Sequence, residues 1–187
     1  MISVAVQPRA ARLTLLVLLT AATRAALVSL GEALSTGVFV ACLGAIVLLE
    51  ARPAVGEKGW SMRWSLVAGG VVGAVLVAPS VGNGLSGRAL SDFWVWGSVA
   101  AVVAALEEIV IRGWLQPSWS AERGPVAGLM VAAAVFAVIH LPRYGIVALP
   151  LDFGVGLAIG GLRLVSGRVL PCAVAHVVAD WGAWFLA

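Results

Sequence analysis

The chain has 187 residues, of which 61% are hydrophobic and 11% are charged, and its mean hydropathy is +1.05. A soluble domain carries roughly 25% charged residues, so this composition excludes a water-soluble globule, and its high apolar content excludes intrinsic disorder. The composition predicts an all-α fold, a polytopic transmembrane bundle of about six to eight helices.

Seven apolar segments predict seven helices in chain order. They cover residues 13–30, 34–49, 64–81, 93–116, 126–140 and beyond, 146–164, and 170–186. Pro171 suits the first turn of the last helix, where its missing N–H leaves no hydrogen bond unmade. A polar stretch from Pro117 to Gly124 predicts the turn between the fourth and fifth helices.

The lysines and arginines lie singly between apolar segments, which argues against a nucleic-acid partner and favours a role in orienting the chain in a bilayer. With a cytoplasmic N-terminus, two of them, Arg88 and Arg143, fall on the outer side. Nine fall on the inner side: Arg9, Arg12, Arg52, Lys58, Arg63, Arg112, Arg123, Arg163 and Arg168. This bias predicts a multi-pass protein of the cell membrane with its N-terminus in the cytoplasm.

One arginine, Arg24, lies inside the first predicted span, eight residues before Glu32. Both side chains are long enough to reach an interface from within a span. They either reach the interfaces in this way or line a cavity.

The C-terminal half places six ionisable side chains inside apolar segments. They are Glu107, Glu108, Arg112, His140, His176 and Asp180. A charged side chain deep in a bilayer costs ~2.5–3.5 kcal/mol on insertion scales, so such groups face the bundle interior and mark functional sites. The alternative is that they pair with one another and only fix helix packing.

The spacing of the two glutamates separates their roles. Arg112 follows Glu108 by four residues, so the two side chains meet on one helix face and neutralise each other. Glu107 is rotated from that face by about 100°. It is therefore left as a carboxylate available for chemistry, as a general base requires.

The two histidines also have partners one helical turn away. Phe136 precedes His140 by four residues, and His176 precedes Asp180 by four. The stretch of chain from Glu107 to the polar turn is about as long as the stretch from that turn to His140. In an antiparallel hairpin these matching lengths bring the two side chains to a similar depth. His176 lies eight residues beyond Arg168, which falls on the same side, or about 12 Å along its helix. We therefore expect the two histidines and Glu107 to converge.

These residues resemble the motifs of the CAAX protease and bacteriocin-processing family, also called the Abi family of intramembrane proteases. The family pattern is EExxxR on one helix, FxxxH on the next and HxxxN on a later one. The matching residues are Glu107, Glu108 and Arg112, then Phe136 and His140, then His176 and Asp180. The stretch from residue 106 to 187 is similar to the catalytic core of the type 2 CAAX prenyl protease. Asp180 stands where the family usually has Asn, and an ionised Asp cannot donate a hydrogen bond to an oxyanion.

The resemblance implies an intramembrane endopeptidase that acts on a membrane-associated or membrane-delivered peptide or protein. Glu107 would activate a water molecule, and His140 would help to position it. His176 with Asp180 would stabilise the oxyanion or orient that group. Structural support would come from Glu108, Arg112 and Phe136. Residues 1–63 would supply N-terminal membrane helices and residues 64–187 the protease core, within one bundle.

A metal-free glutamate mechanism is favoured, with no cofactor. Glu107, His140 and His176 also form a two-histidine, one-carboxylate set that could bind zinc. Two other functions use the same buried groups: a proton-coupled transporter, and a non-catalytic bacteriocin-immunity or binding protein. Buried carboxylates and histidines are consistent with a transporter, because such groups also build proton relays. The presence of Asp180 where the family usually has Asn gives the binding or immunity function some support.

Overall fold

The computed structural model describes residues 9–50, 59–78 and 88–186, and these ranges are helical and contain no strand. The helices are α1 (Arg9–Leu27), α2 (Glu32–Glu50), α3 (Met62–Val77), α4 (Leu90–Val110), α5 (Gln116–Arg123), α6 (Pro125–Tyr144), α7 (Leu149–Ser166) and α8 (Leu170–Leu186). The predicted all-α architecture is confirmed. Because α5 continues the rod that α4 begins, the eight helices form seven rods, within the predicted range.

Five helical segments are long and apolar enough to cross a membrane. They are Arg9–Leu30, Glu32–Glu50, Leu90–Arg123, Pro125–Tyr144 and Ile146–Ser166. Two further helices, α3 and α8, are apolar but shorter. Large apolar side chains such as Leu48, Leu49 and Val147 point outward and are exposed, as side chains that contact lipid are. The chain is therefore a multi-pass membrane protein, whereas its orientation and its location in the cell membrane stay predictions.

The predicted turn from Pro117 to Gly124 is wrong, because residues 116–123 are helical and the chain reverses only at Gly124. Pro117 lies in the first turn of α5, where a missing N–H is tolerated. Gly124 has φ +90°, a conformation that favours glycine. The polar composition of this stretch therefore marks a helix end and not an irregular turn.

The interior has two apolar clusters. One joins α1, α2, α4 and α6 through side chains such as Leu13, Phe39 and Ile139. The other joins α7 and α8 through Ile159 and Cys172, with α3 packed against it. Val155 of α7 packs against both clusters, so the chain forms one bundle, while the division at residue 63 stays a prediction.

Close packing of α3 against α8 depends on glycine. A Cβ atom on Gly73 would lie 2.6 Å from the Ala175 carbonyl oxygen, and Gly69 makes a similarly close approach to Pro171. Small residues let helix backbones approach in lipid, where dispersion contacts hold helices together. The short helix α8, which carries His176, is positioned in this way.

Some of the sequence expectations concern residues outside the described ranges. These are the predicted end of the third helix at Val81 and the two cations Arg52 and Lys58. Arg112, one of the cations expected on the inner side, is instead fully buried between helices. Its charge is therefore part of the interior and does not contribute to the excess of cations on the inner side.

Candidate active site

Glu107 lies on α4 and points into the bundle, with only 2% of its surface exposed. Its Oε2 atom is 3.8 Å from Nε2 of His176 on α8 and 4.0 Å from Nε2 of His140 on α6. Three helices thus bring together the carboxylate and the two imidazoles that the sequence singled out.

The hairpin between α5 and α6 sets the common depth of Glu107 and His140. The chain reverses at Gly124, and the segment from Glu107 to this glycine is nearly as long as the segment from the glycine to His140. At a rise of 1.5 Å per residue, both side chains lie about 25 Å from the turn. The expectation of similar depth is confirmed, although the turn is shorter than predicted.

The ring of His140 is held by its own helix. Its Nδ1 atom donates to the carbonyl oxygen of Phe136, at 2.8 Å, because a carbonyl can only accept. The ring also packs between Phe136 and Tyr144, with ring centroids 4.4 and 5.8 Å away. These contacts leave Nε2 facing Glu107.

The ring of His176 is held by Glu108. Nδ1 of His176 donates to Oε1 of Glu108 at 3.0 Å, and its Nε2 faces both Glu107 and Asp180. Oδ2 of Asp180 lies 3.9 Å from this nitrogen, and its side chain is 30% exposed, more than those of the other site residues. Asp180 therefore lies at the open edge of the site.

Arg112 and Glu108 form an ion pair, with 3.4 Å between NH1 and Oε1, and both side chains are fully buried. NH2 of Arg112 also donates to the carbonyl oxygen of Gly156 on α7, at 3.2 Å. The guanidinium lies over the ring of Phe136, 4.6 Å from its centroid. The pair that was expected from the spacing is present, and it supports the residues that hold both histidines.

A single wide turn separates α4 from α5 at Ile111–Leu115. Here the backbone N–H of Gln116 donates to the carbonyl of Ile111, five residues back rather than four, the pattern of a π-bulge. The carbonyl oxygen of Arg112 accepts from Nε of Arg163 at 3.0 Å. This turn changes the helix geometry just after the two glutamates in the chain, and the bond from Arg163 joins it to α7.

Sequence reasoning missed several contacts of this region. It paired His176 with Asp180 but did not predict the contact of His176 with Glu108. It also did not predict that the Gln116 side chain donates to the Gly160 carbonyl oxygen at 3.0 Å. Gln116 follows Arg112 by four residues, so its place on the same helix face was visible in the spacing. Contacts between distant helices carry no such local signal.

Glu107, His140 and His176 form a set of donor atoms that all lie within 4.8 Å of one another. Two groups that share one hydrogen-bonded water lie about 4.6 Å apart, and two ligands of one tetrahedral zinc lie about 3.3 Å apart. Because both Nδ1 atoms donate elsewhere, each ring in its neutral form presents a lone pair toward the carboxylate. The set accommodates a water molecule, and with slight closure it would hold a zinc ion.

The comparisons with known proteins agree with the motifs. The family model of the type II CAAX prenyl endopeptidase Rce1-like proteins matches residues 89–182, just over half of the chain. No curated protein and no solved structure matches the chain. The matched residues include Glu107, His140, His176 and Asp180. The resemblance drawn from the sequence is thereby confirmed, and the chain belongs to the type II CAAX prenyl endopeptidase Rce1-like family.

Proposed function

We propose that this chain is an intramembrane endopeptidase that hydrolyses a peptide bond of a membrane-associated or membrane-delivered peptide or protein. Its family supports a protease activity. The observation that carries the finer proposal is the convergence of the Glu107 carboxylate and the Nε2 atoms of His140 and His176 on one buried point. These groups together can bind and activate one water molecule.

In the first step Glu107 acts as general base. A water molecule between Glu107 and His140 gives one proton to the carboxylate, while Nε2 of His140 accepts a hydrogen bond from the other hydrogen and fixes the orientation of the water. The water oxygen forms a bond to the carbonyl carbon of the substrate, and the carbonyl electrons move to its oxygen. The product of this step is a tetrahedral oxyanion.

In the second step the oxyanion collapses. The C–N bond breaks, and the proton held by Glu107 passes to the departing nitrogen, so that an acid and an amine are released. His176 in its protonated form donates from Nε2 to the oxyanion, and its ring is oriented by Glu108. Such preorganised donors supply much of the rate of acyl hydrolysis.

Asp180 has a positioning role in this proposal. Its carboxylate lies 3.9 Å from Nε2 of His176, so it stabilises the protonated ring instead of donating to the oxyanion as an Asn would. Glu108, Arg112 and Phe136 act as support, since their contacts hold the two imidazoles in place.

Zinc is the second candidate for the activating group, because the donor set fits it. Glu107, His140 and His176 would hold the ion, which would supply Lewis-acid polarisation and a bound water of lowered pKa. We favour the metal-free mechanism. We expect full activity after incubation with a chelator and no stoichiometric zinc in the purified protein, as measured by elemental analysis. One zinc per chain together with loss of activity on chelation would assign the metal mechanism instead.

The test of the function is the Glu107→Gln variant in vesicles, with a peptide library as substrate and mass spectrometry as the readout. The amide keeps the size of the side chain but cannot act as a base, so cleavage should fall by about 10²–10⁴-fold. Glu122→Gln is the matched control, because it removes an exposed carboxylate on the same rod, fifteen residues or about 22 Å beyond Glu107.

The same vesicles separate the other functions. Undiminished cleavage by Glu107→Gln would remove Glu107 from the reaction. A pH-dependent proton flux without any cleavage would favour a transporter. Absence of both activities in a correctly folded wild-type protein would favour a binding or immunity protein.

A further inference from the structure

Arg24 faces the interior of the bundle rather than the lipid. The buried positions of α1 recur at helical spacing along one face: Ala10, Leu13, Val17, Thr20, Ala21 and Arg24. Arg24 is the last of this series, and only 8% of it is exposed. A cation whose side chain extended to the membrane interface would point away from this buried face and would be exposed. Arg24 instead continues the inward face toward the site.

The guanidinium of Arg24 has an aromatic neighbour but no acidic one. Its central carbon lies over the ring of Phe39 on α2, 4.6 Å from the centroid. Within residues 9–50, 59–78 and 88–186, no carboxylate lies within 4.0 Å of it. Arg12, Arg112 and Arg143 in contrast each pair with a glutamate. Arg24 therefore carries a positive charge inside the bundle without an ion pair among the described residues.

This charge lies at the depth of the candidate active site. The indole N–H of Trp119 donates to Thr14 on α1 at 3.0 Å, where α1 runs antiparallel to the rod of α4 and α5. Arg24 follows Thr14 by ten residues and Glu107 precedes Trp119 by twelve, so at 1.5 Å per residue the two side chains lie at a similar depth in the bundle. Arg112 is another cation in this interior, and it is already bound to Glu108 and to the Gly156 carbonyl. Of the two buried arginines in the described part of the chain, Arg24 is thus the one that remains available to an incoming group.

We propose that Arg24 binds a carboxylate of the substrate, either its chain terminus or an acidic side chain, and so determines which bond reaches Glu107. This inference rests on the proposed function. The planar guanidinium matches a carboxylate with two parallel hydrogen bonds, and it already lies over the ring of Phe39. Arg24 also offsets the repulsion that Glu107 and Asp180 exert on an anionic substrate.

The experiment measures cleavage of paired peptides by the full-length protein in vesicles. Each peptide is supplied with a free C-terminal carboxylate and as the C-terminal amide, with and without a Glu near the end. Wild-type protein should cleave carboxylate-bearing peptides with a kcat/KM about 10- to 100-fold above that of peptides without a carboxylate. Preference for the free terminus, or for the Glu of the amidated peptides, identifies the source of the carboxylate.

The Arg24→Gln variant should lose this preference, mainly through a higher KM, and Arg24→Lys should restore part of it because it keeps the charge without the planar fork. Arg12→Gln is the matched control on the same helix. It should keep the wild-type ratio, since Arg12 pairs with Glu50 away from the site.

Three results would overturn the inference. The first is equal cleavage of all peptide forms by the wild-type protein, which needs no variant to fold. The second is an Arg24→Gln protein that keeps the preference. The third is an equal loss of kcat on every peptide form, which would show an effect on the reaction or the fold. If the wild-type protein gives no Glu107-dependent cleavage of any peptide, the proposed function fails and the inference fails with it.

Discussion

The helix pair α1–α2 and the motif-bearing helices α4, α6 and α8 differ in how far their ion pairs are exposed. Glu50 of α2 pairs with Arg12, and Glu32 at the other end of α2 pairs with Arg143. The Arg12 and Glu32 side chains in these pairs are 53% and 63% exposed. In the motif-bearing region the charged groups are instead mostly buried. Charge at helix ends interacts with water or headgroups, whereas buried charge must find all its partners within the protein.

Individual glycines of α7 and α2 also differ in the space around them. A Cβ on Gly156 of α7 would lie 2.9 Å from Cα of Ala133 on α6, whereas Cβ atoms on Gly37 and Gly44 of α2 would meet nothing within 4 Å. Tight packing thus surrounds the site. The comparison teaches that the site has close helix contacts and a fully buried ion pair, whereas the ion pairs of α2 lie at its ends and each leaves one side chain exposed.

The largest expected effect on stability is that of Arg112→Met. The change leaves Glu108 buried without its cation, which costs about 3–5 kcal/mol of unfolding free energy. Arg12→Met removes a half-exposed cation from Glu50, which keeps Arg9 as a partner at 3.4 Å, so the change should cost at most about 1 kcal/mol. Unfolding in mixed detergent micelles measures both, and equal losses would break the contrast between buried and terminal charge.

A smaller effect is expected for Gly156→Ala. The added methyl group pushes α7 away from α6 and disturbs the carbonyl that accepts from Arg112, at a cost of about 1–3 kcal/mol. Gly44→Ala is the matched substitution in α2, where the methyl group has open space. It should stabilise the helix by up to about 1 kcal/mol. The same unfolding assay measures the pair, and a destabilised Gly44→Ala protein would contradict the looser packing of α2.

The smallest effect is expected for Glu32→Gln. Its exposed pair with Arg143 should contribute about 0.2–1 kcal/mol in low salt. The contribution should shrink as salt is added, because exposed charges are screened. Unfolding at low and high salt gives the difference between variant and wild type at each condition. A large loss of unfolding free energy that persists in high salt would show that this exposed pair contributes as much as the buried pair of Glu108 and Arg112.

The sequence predicted contacts within a helix well. The four-residue spacings of Glu108 with Arg112 and of His176 with Asp180 each correspond to a close approach in the structure. The apolar segments also located the helices, because a lipid environment demands long apolar runs. The convergence of Glu107 with His140 followed from comparing the two arms of the hairpin.

Contacts between helices far apart in the chain were not predictable in the same way. The bond from His176 to Glu108 and the inward orientation of Arg24 depend on how each helix is rotated about its axis. That rotation is set by packing, such as the close approach of α3 to α8, and a single sequence does not encode it locally. Residues 117–123 were mistaken for a turn because polar composition is shared by turns and by the polar ends of helices.

The wide turn at Ile111–Leu115 lets the two halves of one helical rod direct their side chains at different angles about the rod axis. Above it Glu107 and Glu108 point toward the histidines, and below it the indole N–H of Trp119 donates to Thr14 on α1 at 3.0 Å. A regular helix repeats its faces with one fixed period. The extra residue in this turn therefore rotates the side chains of one half of the rod relative to those of the other half. The orientation of the two glutamates and the contact with the N-terminal helix are in this way set separately within one continuous helical rod.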